Sequence, residues 1–165
     1  MTGAGTWSLD EGDYKKITVH LTALLKESNA RCALLVDRTG QLLASVGEQL
    51  SFDPTAFASL TAADFSANDQ LAKMIGEPDF ASLFHQGEKE SMYLADVARR
   101  VILVVLFDQR TTVGMVRLRV RQAVGDLSAL FAEMFQRAAS ADSPGKEQAG
   151  LLEGAEDEID KLFDD

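Results

Sequence analysis

The seven residues Val101–Phe107, VILVVLF, are all apolar and mostly β-branched, the pattern of a strand covered on both faces. Such a strand belongs in the middle of a sheet, and each of its faces needs a layer over it. After Asp108, Gln109-Arg110-Thr111-Thr112 offers turn and N-cap chemistry. Val113, Val116, Val120, Val124, Leu127, Leu130, Phe131 and Met134 then recur at spacings of three and four. That spacing predicts a long amphipathic helix, ending near Ala139 and laid back over the sheet.

The chain ahead of this stretch supplies the rest of the sheet. Ser8 or Asp10 can cap a first helix in which Tyr14, Ile17, Leu21, Leu24 and Leu25 form one apolar stripe. After Ser28-Asn29, the run Cys32–Val36 reads as a buried strand. Asp37-Arg38-Thr39-Gly40 is a turn in which Gly40 is free to take positive φ, and Gln41–Val46 returns as the second strand of a hairpin. A second hairpin pairs Ser82–Glu88 with Ser91–Ala98 around Gly87-Glu88-Lys89-Glu90. Its register stays open, because either Met92, Leu94 and Val97 or Tyr93, Ala95 and Val97 could point inward. The order is therefore αββαβββα. Short connections between consecutive strands give an α+β sandwich, a five-stranded antiparallel sheet with helices on both faces.

Asp53-Pro54 opens the helix between the hairpins, with an N-cap carboxylate followed by proline at the first helical position, and Gly76-Glu77-Pro78 closes it. Phe57, Leu60, Leu71, Met74 and Ile75 fall on one side, with Ala67 between them. The other side carries Ala58, Ala62, Ala63 and Ser66 around Phe65. Read as the outer surface, that small-residue side would let another backbone approach closely, with Phe65 as an anchor; alanine's helix propensity alone is the plainer account.

Length and composition fit one domain with a sizeable core. No apolar run approaches the roughly 18 residues of a membrane span, and the first residues carry no secretory signal pattern. The lone cysteine, Cys32, fits a reducing compartment, so a cytoplasmic location is expected. The net charge of −10 disfavours nucleic acid and anionic membranes as partners. From Ser140 onward nine acids face two lysines, which leaves −3 of that −10 for everything before. Residues 8–139 thus read as the folded domain and 140–153 as a linker of Ser, Gly and acidic residues around Pro144. Residues 154–165 read as an acidic segment with helical spacing at Ile159, Leu162 and Phe163. Burying those three side chains would yield at most about 5–9 kcal/mol, against about 1–2 kcal/mol for each of its backbone residues fixed. Such a segment folds on a partner rather than alone.

No catalytic constellation assembles, so no enzyme is expected, nor any metal or cofactor. His20 and His85 lack metal-ligand spacing. Cys32 lies in an apolar strand, where a thiol is packing, and there is no phosphate-cradling glycine loop. Arg99 and Arg100 read as charge at a strand end. Arg117, Arg119 and Arg121 cannot share one helix face and read as surface charge over apolar stems.

Taken in order, LLVDRTGQLLAS (Leu34–Ser45), FASLTAADFSANDQLAKMIGE (Phe57–Glu77) and VILVVLFDQRTTVGMVRLRV (Val101–Val120) resemble the Roadblock family of dynein-light-chain-like domains. The resemblance spans roughly Asp10 to Gln136 and extends to the terminal EIDKLF. It implies a homodimer in which the second helices pack together and the third strands pair across a two-fold axis. It further implies that two chains engage one Ras-like small GTPase of the MglA type, in cell polarity or motility and at a cell pole. Hydrolysis would be accelerated without an arginine finger, by repositioning the GTPase's own groups. The docking residues carried over by the resemblance are Ala62, Ala63, Ser66, Ala67 and Gln70, with Ile159, Leu162 and Phe163 reaching a second surface of the GTPase. Two other readings compete: a polar scaffold that only dimerises and holds a partner, and a small-molecule sensor of the PAS or GAF kind. The sensor needs an internal pocket, for which the continuous stripe of the last helix leaves little room.

Overall fold

A computed structural model describes residues 9–142. Its elements are α1 (Glu11–Ser28), β1 (Cys32–Asp37), β2 (Leu42–Gly47), α2 (Pro54–Met74), β3 (Ser82–Gln86), β4 (Ser91–Val97), β5 (Val101–Phe107) and α3 (Val113–Asp142). This is the expected αββαβββα order. Residues Leu9–Phe131 form one compact unit, and a second begins at Ala132, its described part being the last stretch of α3. That helix runs on to Asp142, past the boundary expected at Ala139. Most of the linker, and the segment with Ile159, Leu162 and Phe163, lie outside the described residues.

The strands form one antiparallel sheet in the order β2-β1-β5-β4-β3. β5 is central as its composition requires, with Val104 paired to Leu34 on one side and Leu94 on the other. Strand alternation then divides the core. Cys32, Leu34, Val36, Leu94, Ile102 and Val104 point to the face where α2 brings Ala58 and Phe65. Their neighbours Ala33, Leu35, Tyr93, Ala95, Val97, Leu103 and Val105 are also buried and point to the opposite face. There α1 contributes Ile17, Leu21 and Leu24, and α3 contributes Val116, Val120, Leu127 and Phe131. Tyr14, expected in the α1 stripe, is exposed.

Asp10 is the α1 N-cap, accepting from the Asp13 amide at 2.7 Å, and Asn29 ends the helix at φ 56°. The second hairpin pairs Phe84 with Tyr93 and His85 with Met92. Met92 and Leu94 turn toward α2, and Tyr93, Ala95 and Val97 turn away. Both open registers hold part of the answer, because a strand covered on both faces shows no alternation to read.

The rotation of α2 is the reverse of the expected one. Ala58, Thr61, Ala62, Phe65, Asn68 and Ala72 are its buried residues, so the small-residue side around Phe65 lies on the sheet. Phe65 is fully buried within its own chain and anchors no partner. Of the bulky side, Leu60, Leu71, Met74 and Ile75 point outward, and Phe57 alone is half-buried against the core. The physical reason is distance: small side chains let α2 lie close to the β1–β2 turn. A Cβ on Gly40, which sits at φ +94°, would come within 3.0 Å of the Ser59 Cα and 3.7 Å of the Ala62 Cβ.

Candidate partner interface

α2 begins as its sequence dictates, with the Asp53 carboxylate accepting from the Thr55 amide at 3.0 Å and Pro54 at the first position. At about 100° per residue, Leu60, Ala63, Ala67, Leu71 and Met74 form one outward stripe along its length. Its large members are far from covered, with Leu60 70 %, Leu71 59 %, Met74 82 % and Ile75 70 % exposed. Of the residues expected to dock a partner, Ala63 and Ala67 lie within this stripe, and Ser66 and Gln70 lie exposed beside it. Ala62 is buried against the sheet instead. Leu60, Leu71 and Met74 are the residues that sequence reasoning misses, because their bulk points to the core. A usable signal is present, since charged Asp64, Asp69 and Lys73 fall on the flanks of α2 and leave both of its faces uncharged.

An ion pair and a His–Asp hydrogen bond bracket the buried face. On one flank Arg38, in the β1–β2 turn, donates from Nη1 to Asp69 Oδ2 at 2.7 Å and from Nη2 to Asp96, at the end of β4. Its guanidinium lies 4.8 Å from the Phe65 ring centre, a cation–π contact. On the other flank His85 Nε2 lies 2.7 Å from Asp64 Oδ2. This second pair also joins α2 to β3, which is the edge of the sheet and pairs only with β4. Among the described residues, the outer edge of β3 and the apolar stripe of α2 are both uncovered, and this contact joins the two elements.

A separate charged clasp holds the turn between β5 and α3. Arg31 Nε donates to Glu48 at 2.8 Å, and a second guanidinium nitrogen donates to Glu90. Arg110 donates to Glu48 at 2.8 Å and to Asp108 at 3.0 Å. The Arg110 carbonyl accepts from the Asn29 side chain at 3.0 Å. Hydrogen bonds from Arg31 and then Arg110 hold the Glu48 carboxyl below its usual range. Arg110 does the same for Asp108, and the two carboxylates in turn raise Arg110. The arginine that follows the central strand is thus committed to its own chain. A surface depression of about 500 Å³ beside it is lined by Lys89, Glu90, Asp108, Gln109 and Arg110.

Burial pushes the Cys32 thiol up to about 11, which leaves it protonated and inert at neutral pH. His20 Nδ1 faces Asp126 across the α1–α3 contact at 4.0 Å. Among the described residues no group of three or more His, Cys, Asp or Glu could hold a metal ion, and no helix is long and apolar enough to cross a membrane.

Comparison with known proteins agrees with this geometry. Residues 16–107 match the Roadblock/LC7 domain. The solved structure of Myxococcus xanthus MglB is 42 % identical at a TM-score of 0.73, covering 77 % of this chain and 96 % of that one. The gliding protein MglB from Thermus thermophilus is 30 % identical at a TM-score of 0.71, covering 78 % and 97 %. An uncharacterised protein of Methanocaldococcus jannaschii is 28 % identical over 113 residues, 67 % of this chain and 96 % of that one. With the family's domain matched over all five strands and α2, and a solved MglB structure 42 % identical over most of its length, this chain belongs to the Roadblock/LC7 family.

Proposed function

We propose that this chain is a homodimeric regulator of a Ras-like small GTPase of the MglA type, accelerating GTP hydrolysis by repositioning the GTPase's own catalytic groups. The observation that carries this reading is the outward stripe of α2 beside the open edge of β3. Two such stripes are self-complementary when crossed antiparallel at Ala67, because Leu60 of one copy then meets Met74 of the other while the small residues allow close approach at the centre. Burying Leu60, Leu71, Met74 and Ile75 in this way would recover about 1.5–3 kcal/mol per side chain. Pairing of β3 with its counterpart would satisfy the edge amides and carbonyls that a lone sheet leaves open.

The similarity to MglB supports the class of partner, and likeness to the Thermus thermophilus gliding protein supports a role in motility or polarity. Ala63, Ser66, Ala67 and Gln70 flank or line the α2 stripe, and Ala62 supports it from beneath. The terminal segment with Ile159, Leu162 and Phe163 makes a second contact with the same GTPase. Internal pairing of Arg110 supports a mechanism without a donated arginine. The deciding measurement is single-turnover GTP hydrolysis by an MglA-type GTPase with and without this protein, alongside co-elution in both nucleotide states. Acceleration is expected; binding without acceleration would mean a scaffold, and absence of binding would end the reading.

A further inference from the structure

The buried face of α2 is the less apolar of its two faces. It offers the sheet Phe65, half-buried Phe57 and alanines, but also Thr61 and Asn68, both buried. The outward face offers Leu60, Leu71, Met74 and Ile75. Within one copy, before a second covers the stripe, apolar area does not by itself select this rotation. The two flanking polar contacts, Arg38 with Asp69 and His85 with Asp64, are placed to do so.

We propose that Arg38 is a positioning residue. Held by Asp69 and Asp96 and stacked on Phe65, it works with the Asp64–His85 pair on the opposite flank to fix α2 in the rotation that turns the leucine–methionine stripe outward. This inference rests on the reading of that stripe as the partner surface. The geometry suits orientation better than it suits stability. Arg38 Nε and Asp69 Oδ1 are buried without hydrogen-bond partners, as is Asn68 Nδ2, so the cluster is incompletely satisfied. A partly buried ion network of that kind contributes little net stability, and its attested use is to select one arrangement over another. Asp69 and Asp64 sit on opposite sides of the buried face, so neither pair survives a rotation of the helix by a third of a turn. The cluster also ties three distant segments together, since the Arg38 amide donates to the Arg100 carbonyl at 3.3 Å.

Thiol labelling at adjacent positions reads helix rotation directly. Ala72 is fully buried and Lys73 is exposed, and neither belongs to the outward stripe, so dimerisation does not confuse the result. Buried Cys32 serves as the internal control for unfolding. In the parent sequence, Lys73→Cys should label at least 100-fold faster than Ala72→Cys. Arg38→Met should speed labelling of Ala72→Cys at least tenfold while Cys32 changes less than twofold. Arg38→Lys, which keeps the charge without the two-pronged geometry, should fall between. The proposal is overturned if Ala72→Cys is no faster in Arg38→Met. It is equally overturned if Ala72→Cys accelerates only in step with Cys32 in both variants, which is unfolding. Should Arg38→Met alone unfold, Arg38→Lys decides by the same criterion. Sedimentation of the parent chain is run in parallel: a monomer at high concentration would remove the dimer reading and leave the labelling contrast standing.

Discussion

Gly47 closes β2 at φ +108°, and a Cβ placed there would lie 2.4 Å from the Arg31 carbonyl oxygen and 2.8 Å from the Cys32 Cα. Backbone cannot yield as a flexible side chain would, so Gly47→Ala should cost about 2–4 kcal/mol from left-handed strain and overlap together, measured by urea unfolding. The β4–β5 turn presents the opposite case. Ala98 and Arg99 both occupy the left-handed region, at φ 54° and 56°, although neither has a side chain suited to it. Ala98→Gly should relieve about 1–2 kcal/mol of strain and return about half of that as unfolded-chain entropy. The net expectation is a stabilisation of about 0.5–1 kcal/mol in the same assay. Turns of this hand differ in how readable they are from sequence. Gly40 follows Asp37-Arg38-Thr39 and announces a positive φ, whereas Ala98-Arg99 contains no residue that marks a turn of this hand.

At the scale of elements, boundaries follow from local chemistry and orientation does not. The Asp53 cap and Pro54 fix where α2 starts whatever lies beneath it, and Asp53→Ala should lower stability by about 1 kcal/mol, seen as a reduced thermal midpoint. Its rotation depends instead on Arg38 and His85, which stand 31 and 21 positions from their partners. Periodicity cannot see such pairs. With two uncharged faces to choose from, it favours the bulkier one for the core, and the structure places the bulkier one outside. Three connecting segments, α1–β1, β2–α2 and β5–α3, meet at the Arg31–Glu48–Arg110–Asp108 clasp, and it carries a pH signature. Its two carboxyls ionise more readily in the folded chain than in the unfolded one. Their contribution is therefore complete above the unfolded values, about 4, and is lost as pH falls through the lower folded values. Denaturant midpoints followed from pH 7 to pH 3 should drop more steeply in the parent than in Glu48→Gln.

For the whole molecule, the predictions concern assembly and partner. Leu71→Arg places a charge in the middle of the outward stripe without touching the core. It should raise the self-dissociation constant at least 100-fold in analytical ultracentrifugation while leaving the circular dichroism spectrum unchanged. Arg110→Ala should keep GTPase acceleration within tenfold of the parent, because loss of a donated arginine finger would cost about 10³–10⁵. A fall of that size with binding intact would show that Arg110 leaves its internal carboxylates to act in trans. The sheet order itself has a further consequence for synthesis. β1 is bridged to β4 only through β5, so a nascent chain that ends before Val101 holds two separate hairpins. The ribosome must deliver residue 107 before there is a continuous floor for α2 to rest on. Assembly with a second copy then has to wait until almost the entire domain has been translated.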